Sequence, residues 1–197
     1  MLTRMRKAAK RRIILASASP WRKTLLERAG IQFEVEVSGY DEDLTTRLHP
    51  MVLVKRIALG KAQAVALRHP NALVIAADTV AVFRGRAIGK PKNPRAARTL
   101  LRQLSGKQHS LITGFAILDT KTGKAVVKAE ETEVWFRKLT QKEINAYVRI
   151  KEPMTVAGGY AIQGGGSSFA ERINGDFYNV VGLPLAKVVE ELRKFGV

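Results

Sequence analysis

The chain has 197 residues, 46% hydrophobic and 26% charged, enough for one well-buried α/β domain or two small lobes sharing a cleft. With no cysteine, disulfides, thiolate zinc sites and thiol nucleophiles are excluded, and three scattered histidines argue against a histidine metal cluster or a Ser-His-Asp triad. The formal charge of +17 favours an acidic partner such as a nucleotide, a nucleic acid or an anionic membrane, although net charge by itself is more often a basic surface that only solvates the fold.

Residues 1–11 carry Arg4, Arg6, Lys7, Lys10 and Arg11 and read as a basic arm ahead of a single domain over 12–197. The following apolar run is too short for a secretory signal, and none approaches the roughly twenty residues of a membrane helix, so a cytoplasmic protein is expected. Ile13-Ile14-Leu15 suits a buried strand. Ser17, Ala18 and Ser19 then let the backbone turn, with Ser19 as N-cap and Pro20 at the first position of a helix that stops at Gly30. A helix N-terminus beside a strand, with Arg22 and Lys23 in its first turn, is suited to a phosphate. An ordinary strand–helix joint would have the same pattern.

Phe33–Val37 alternates with period two and predicts a strand with one buried face. Asp41-Glu42-Asp43 is the dense acidic cluster of the first half; it either solubilises a loop or offers oxygen ligands to a hard cation such as magnesium. Residues 50–68 predict an amphipathic helix with Val54, Ile57, Ala58, Ala62 and Val65 inward and Lys55, Arg56 and Lys61 elsewhere. Leu73–Thr79 predicts a central strand buried on both faces and ending on Asp78 and Thr79, where ligands bind in open α/β sheets. Asp78 is therefore the foremost catalytic candidate, the alternative being a strand-ending cap. A hairpin over 80–88, turning at Arg84-Gly85, brings Gly89-Lys90-Pro91 back toward Asp78 and offers Lys90 as a phosphate contact, the alternative being one more surface lysine.

A helix at 93–103, long strands at 109–118 and 126–136 and a helix at 141–150 follow. The stretch Glu152–Gly166 is dense in glycine, which permits close approach to a ligand, and Gln163 within it offers donor and acceptor to a base edge, the alternative being a flexible loop with a core tyrosine. Asn179–Pro184 leads into a final helix with Leu185, Val188, Val189 and Leu192 on one face.

Leu15-Ala-Ser-Ala-Ser-Pro20, Ala77-Asp-Thr79, Gly89-Lys-Pro91, Leu104-Ser-Gly106, Ala157-Gly-Gly-Tyr-Ala-Ile-Gln-Gly164 and Val180-Val-Gly-Leu-Pro184 occur in this order, and together the chain resembles the Maf family of nucleoside triphosphate pyrophosphatases, first named for effects on septum formation. The resemblance implies a long mixed α/β sheet with helices in two lobes around a nucleotide cleft, as in inosine triphosphate pyrophosphatases. It implies a hydrolase that cleaves a nucleoside triphosphate between its α and β phosphates with Mg²⁺ or Mn²⁺. The family's proton-accepting aspartate falls on Asp78, a glutamate tied to metal or water handling on Glu42, phosphate lysines on Lys61 and Lys90, and the serine turn on Ser17 and Ser19. Asp78 and Glu42 are then the expected metal ligands, and Arg22 is expected beside the substrate.

Three family positions associated with base preference fall on Trp21, Thr79 and Gln163. Thr79 and Gln163 side with the dTTP/UTP branch, whereas Trp21 sides with the 7-methyl-GTP branch, since an indole attracts a cationic methylated purine. The dTTP/UTP type is favoured, with 7-methyl-GTP as the alternative. Thr155-Val156 replaces an Asp-Lys found in many members. A homodimer is plausible by resemblance. A nucleic-acid-binding or division-regulating role is the rival from another class, weakened by the 7% of aromatic residues.

Overall fold

A computed structural model describes residues 11–43, 46 and 48–197. The basic arm lies outside the described residues except for Arg11, whose guanidinium pairs with Asp119 at 2.6 Å. One sheet of seven strands runs through the described chain: β1 (Arg12–Leu15), β2 (Glu34–Val35), β3 (Ala72–Phe83), β4 (Arg86–Ile88), β5 (Gln108–Asp119), β6 (Ala125–Phe136) and β7 (Ala170–Asn174). Their order is β2-β1-β3-β5-β6-β7, with β4 added to β3. β1 is parallel to both its neighbours and the other pairs are antiparallel, which makes the sheet mixed as expected.

Among the described residues six α-helices flank it: α1 (Pro20–Arg28), α2 (Pro50–Ala66), α3 (Pro94–Leu104), α4 (Gln141–Arg149), α5 (Phe177–Val181) and α6 (Leu185–Arg193). The first three start alike. A proline opens each behind a side-chain cap, Ser19, His49 or Asn93, where its missing N–H costs nothing. α4 starts instead on a capping box between Thr140 and Glu143. Among the described residues no helix is long and apolar enough to cross a membrane.

The period of two sorts the core. Ile14, Ala16, Val74 and Ala76 face α2 and meet Ala58, Ala62 and Val65. Ile13, Leu15, Leu73, Ile75 and Ala77 face the other way and meet Leu25 and Leu26 of α1 and Val188 and Leu192 of α6. Further along that second face a separate apolar cluster joins Ala81 and Leu111 to α3, α4 and the rings of Phe136, Tyr160 and Phe169. Between the two clusters lies a polar step, Thr79 opposite Thr113.

Three expectations change. The strand at 33–37 is only Glu34–Val35, both residues exposed, because β2 is a sheet edge with little to pack against. β3 does not end at Thr79 but continues to Phe83, so Asp78 is a mid-strand residue. β7 and α5 were not anticipated; each is five residues long, too short for a periodic signal.

Candidate active site

Asp78 faces an opening because β3 changes partners there. β1 pairs with β3 from Ala72 to Ile75 and then turns away. β5 occupies one edge of β3 from Leu73 to Val82, so β4, which pairs from Ala81 onward, must return on the edge that β1 left. Over Ala76–Val80 that edge has no strand partner among the described residues. Neighbouring side chains in a strand point to opposite faces, so Asp78 is aimed at α2 and Thr79 at α1.

On the first face Lys61 of α2 bridges two carboxylates. Its Nζ lies 2.8 Å from Asp78 Oδ1 and 2.6 Å from Glu42 Oε1. Lys61 and Asp78 are each 6% exposed. The helix approach that allows this depends on Gly114, the residue paired with Asp78 in β5: a Cβ there would lie 2.5 Å from the Val54 carbonyl. Glu42 is brought in by Tyr40, whose ring lies against Gly60, where a Cβ would come within 2.5 Å of the ring's Cε2. Burial alone would raise the Glu42 carboxyl, but the Lys61 hydrogen bond and the charges of Lys61, Lys90 and Arg22 outweigh it and hold the group below its ordinary value. Within the acidic cluster, Glu42 rather than Asp41 or Asp43 lines the cleft.

Lys61 was expected away from the apolar stripe, and this is corrected: it follows Ile57 by four residues and so shares the buried face. The phosphate-facing role expected of Arg22 and Lys23 changes too. Arg22 folds inward, donating from Nε to Gly182 O at 2.8 Å, from Nη2 to Thr79 Oγ1 at 3.0 Å and from Nη1 to Ser17 Oγ at 3.2 Å. Burial pushes its pKa down, opposed by the charges of Asp78 and Glu42. Lys23 points outward and pairs loosely with Glu27 at 3.8 Å. The serine turn is partly self-satisfied: Ser17 Oγ accepts from Ser19 N–H, and Ser19 Oγ from Arg22 N–H. What remains is a buried guanidinium, with no carboxylate hydrogen-bonded to it among the described residues, under a serine-lined floor.

The cleft above this floor has a volume of about 780 Å³, a size that takes a small-molecule ligand. Ser17, Ser19 and Trp21 line one side, and Glu42, Lys61, Asp78 and Thr79 its base. Lys90 reaches it from the end of the β3–β4 hairpin, whose turn at Arg84 and Gly85 has both φ angles positive, as expected. Gln163 lines it from the glycine-dense loop; its Oε1 is enclosed and has no hydrogen-bond partner among the described residues. Ser17, Ser19, Trp21, Arg22, Glu42, Lys61, Asp78, Thr79, Lys90 and Gln163 therefore meet in one cleft, whereas Lys23 does not line it. Thr155 and Val156 line it as well and leave that stretch without charge.

Sequence reasoning missed three contributors: Tyr40, the Gly182 carbonyl that accepts from Arg22, and Tyr160 in the wall. Gly182 has φ +122°, and the Gly-Leu-Pro step that contains it was the available signal.

The carboxylate set fits a hard divalent cation that arrives with its phosphates. Glu42 and Asp78 provide two carboxylates, the usual protein share for magnesium when phosphates complete its shell. Among the described residues no cluster of three or more His, Cys, Asp or Glu could hold a metal alone.

The family described as Maf-like protein matches residues 12–195. A dTTP/UTP pyrophosphatase of Bacillus mycoides (strain KBAB4) is 49% identical over 185 residues, 94% of this chain and 96% of that protein. One from Desulforamulus reducens is 48% identical over 187 residues, 95% of this chain and 98% of its own length. Among solved structures, a nucleoside-triphosphatase (dITP/XTP pyrophosphatase) of Mycobacterium abscessus aligns with a TM-score of 0.43 at 16% identity, over 65% of this chain and 75% of that one, a likeness too slight to weigh. The family match begins at β1, where the floor of the cleft starts, and runs past Gly182, where it closes, so it takes in the whole site: the chain belongs to the Maf family.

Proposed function

We propose that this protein is a nucleoside triphosphate pyrophosphatase that releases a nucleoside monophosphate and pyrophosphate, with dTTP and UTP as its substrates. The observation that carries the reading is the Lys61 ammonium held between Asp78 and Glu42 at the base of a cleft that Lys90 and Arg22 make cationic. A triphosphate brings several negative charges, and fixed cations in a partly enclosed site stabilise the further charge that builds on the leaving pyrophosphate. Water attacks the α-phosphorus, the bond from it to the bridging oxygen of the β-phosphate breaks, and the Asp78 carboxylate takes the proton from the water. Lys61 holds Asp78 in place and neutralises part of the phosphate charge. Glu42 and Asp78 would also hold a divalent cation arriving with the phosphates. When bound, that cation supplies charge neutralisation and fixes the phosphate geometry.

The choice of base follows the relatives named dTTP/UTP pyrophosphatase and is supported by Thr79 and Gln163 in the wall. A second reading, 7-methyl-GTP, is favoured by the Trp21 indole in the same cleft. The test is pyrophosphate release from dTTP, UTP, CTP and 7-methyl-GTP with Mg²⁺ or Mn²⁺, for wild type and Asp78→Asn. Wild type should prefer dTTP and UTP, and the variant should fold and lose turnover. Undiminished release by Asp78→Asn defeats the catalytic assignment, and preference for 7-methyl-GTP replaces the first reading by the second.

A further inference from the structure

Behind the wall that carries Gln163 lies a clasp of side chains that do not line the cleft. Oε2 of Glu152 accepts a 2.7 Å hydrogen bond from the Tyr147 hydroxyl and a 3.0 Å one from Gly165 N–H. The same hydroxyl accepts Ala161 N–H at 2.9 Å. Tyr147 belongs to α4, and Glu152 opens the short 3₁₀ turn Glu152–Thr155 that leads into the wall at Met154.

The two amides held this way stand two residues before and two residues after Gln163. Between them Gly164 N–H donates to Ala161 O at 3.0 Å and closes the turn. The approach is close: a Cβ on Gly164 would lie 2.9 Å from Glu152 Cδ and displace the carboxylate, and one on Gly166 would lie 3.2 Å from the Tyr147 hydroxyl oxygen. Burial, together with the hydrogen bond to Glu152, pushes the Tyr147 hydroxyl well above its ordinary value against the opposing Ala161 N–H bond, so it remains a donor to the carboxylate. At the centre of the clasped turn, Gln163 Oε1 is enclosed and has no hydrogen-bond partner among the described residues.

We propose that Tyr147 and Glu152 are positioning residues that fix the Gln163 amide against the nucleotide base, and so govern base discrimination rather than the rate of bond cleavage. The proposal rests on the nucleotide reading above. A carboxamide can offer acceptor and donor in either order, so it separates two base edges only if one order is held, and a turn clamped on both sides of Gln163 restricts where that carboxamide can sit. Uracil presents an N–H beside a carbonyl, whereas cytosine presents a ring nitrogen beside an amino group. UTP and CTP therefore differ at the edge an immobilised glutamine can read, and a site built for one hydrogen-bonding pattern rejects the other.

The experiment compares wild type, Tyr147→Phe, Glu152→Ala and Glu152→Gln in steady-state hydrolysis of UTP and CTP, with amide hydrogen exchange on the same proteins. Tyr147→Phe and Glu152→Ala should each raise KM for UTP about tenfold with kcat within about twofold, and lower the UTP:CTP ratio of kcat/KM about tenfold. The amides of Ala161 and Gly165 should exchange faster in both. Glu152→Gln, which keeps an acceptor at the same place, should stay near wild type. Glu152 is only half-buried, so Glu152→Ala decides alone if Tyr147→Phe does not fold. Folded variants with unchanged KM and unchanged UTP:CTP ratio overturn the proposal while an active wild type keeps the nucleotide reading; a fall in kcat at constant KM overturns it in the same way. A wild type inactive on both nucleotides removes the nucleotide reading, and the proposal with it.

Discussion

Lys61→Met would leave the stem of the side chain in place and remove only the ammonium that separates two acids. Asp78 and Glu42 each lie within 2.8 Å of that nitrogen, so their oxygens can stand no further apart than twice this distance. Two carboxylates so placed repel by about 3 kcal/mol at an effective dielectric of about 20. The Glu42 side chain is 43% exposed, which weakens the repulsion, but Asp78 is buried and loses its nearest cation. Stripping one partner from a buried ion pair costs about 3–5 kcal/mol, so with Glu42 half open to water the expected loss is about 2–4 kcal/mol near neutral pH.

The pH dependence has a definite sign. Without Lys61 the folded-state pKa of one carboxyl rises above its unfolded value of about 4, and the penalty exists only where that carboxyl must ionise. The deficit should therefore shrink as pH falls from about 7.5 to about 5. Urea denaturation of wild type and variant at both pH values measures it. A variant within about 0.5 kcal/mol of wild type near neutral pH, or a deficit that grows on acidification, refutes the idea that Lys61 lets the two acids coexist. MgCl₂ should raise the unfolding midpoint of Lys61→Met more than that of wild type if the same acids are the metal's ligands.

Arg22→Lys keeps the charge but cannot span Gly182, Ser17 and Thr79; it should cost about 2 kcal/mol in denaturant melts and most of the pyrophosphate release. Gly114→Ala drives a methyl into the Val54 carbonyl; it should cost about 1–3 kcal/mol and lift Lys61 off Asp78, so that activity falls with stability. Burial pushes the His109 ring down to about 4 from 6.5, so on acidification through that interval the unfolded chain takes up a proton that the fold refuses. Stability should drop from pH 6.5 toward 4, and His109→Gln should show a shallower drop in the same denaturation series.

The site was more legible than the path of the chain through it. Asp78 stands out because a carboxylate closes a run that is otherwise apolar, and that contrast survives even though the strand continues. What sequence could not show is that β3 exchanges β1 for β4 on one edge, since strand pairing is non-local. Lys61 is a different failure: its i+4 relation to Ile57 put it on the buried face, but a lysine is normally assigned to solvent. Its burial makes sense only once both carboxylates are in view, and Glu42 lies 19 positions earlier in a loop without periodicity. Tyr147 and Glu152 leave still less trace, because a tyrosine on an apolar helix face reads as core, and here it is core as well as clasp.

The polar step between the two apolar clusters also decides what Thr79 can offer a ligand. Thr113 gives its single hydroxyl hydrogen to Asn179 O at 3.0 Å. In its 2.9 Å contact with Thr79 it must therefore accept, and Thr79 must donate. Arg22 Nη2 already donates to the same Thr79 oxygen. Thr79 thus has no hydrogen left for the cleft, only residual acceptor capacity beside a buried guanidinium. Any contact it makes to a base edge has to be with an N–H. That requirement agrees with uracil and thymine, and it arises from a threonine on the next strand that does not itself line the cleft.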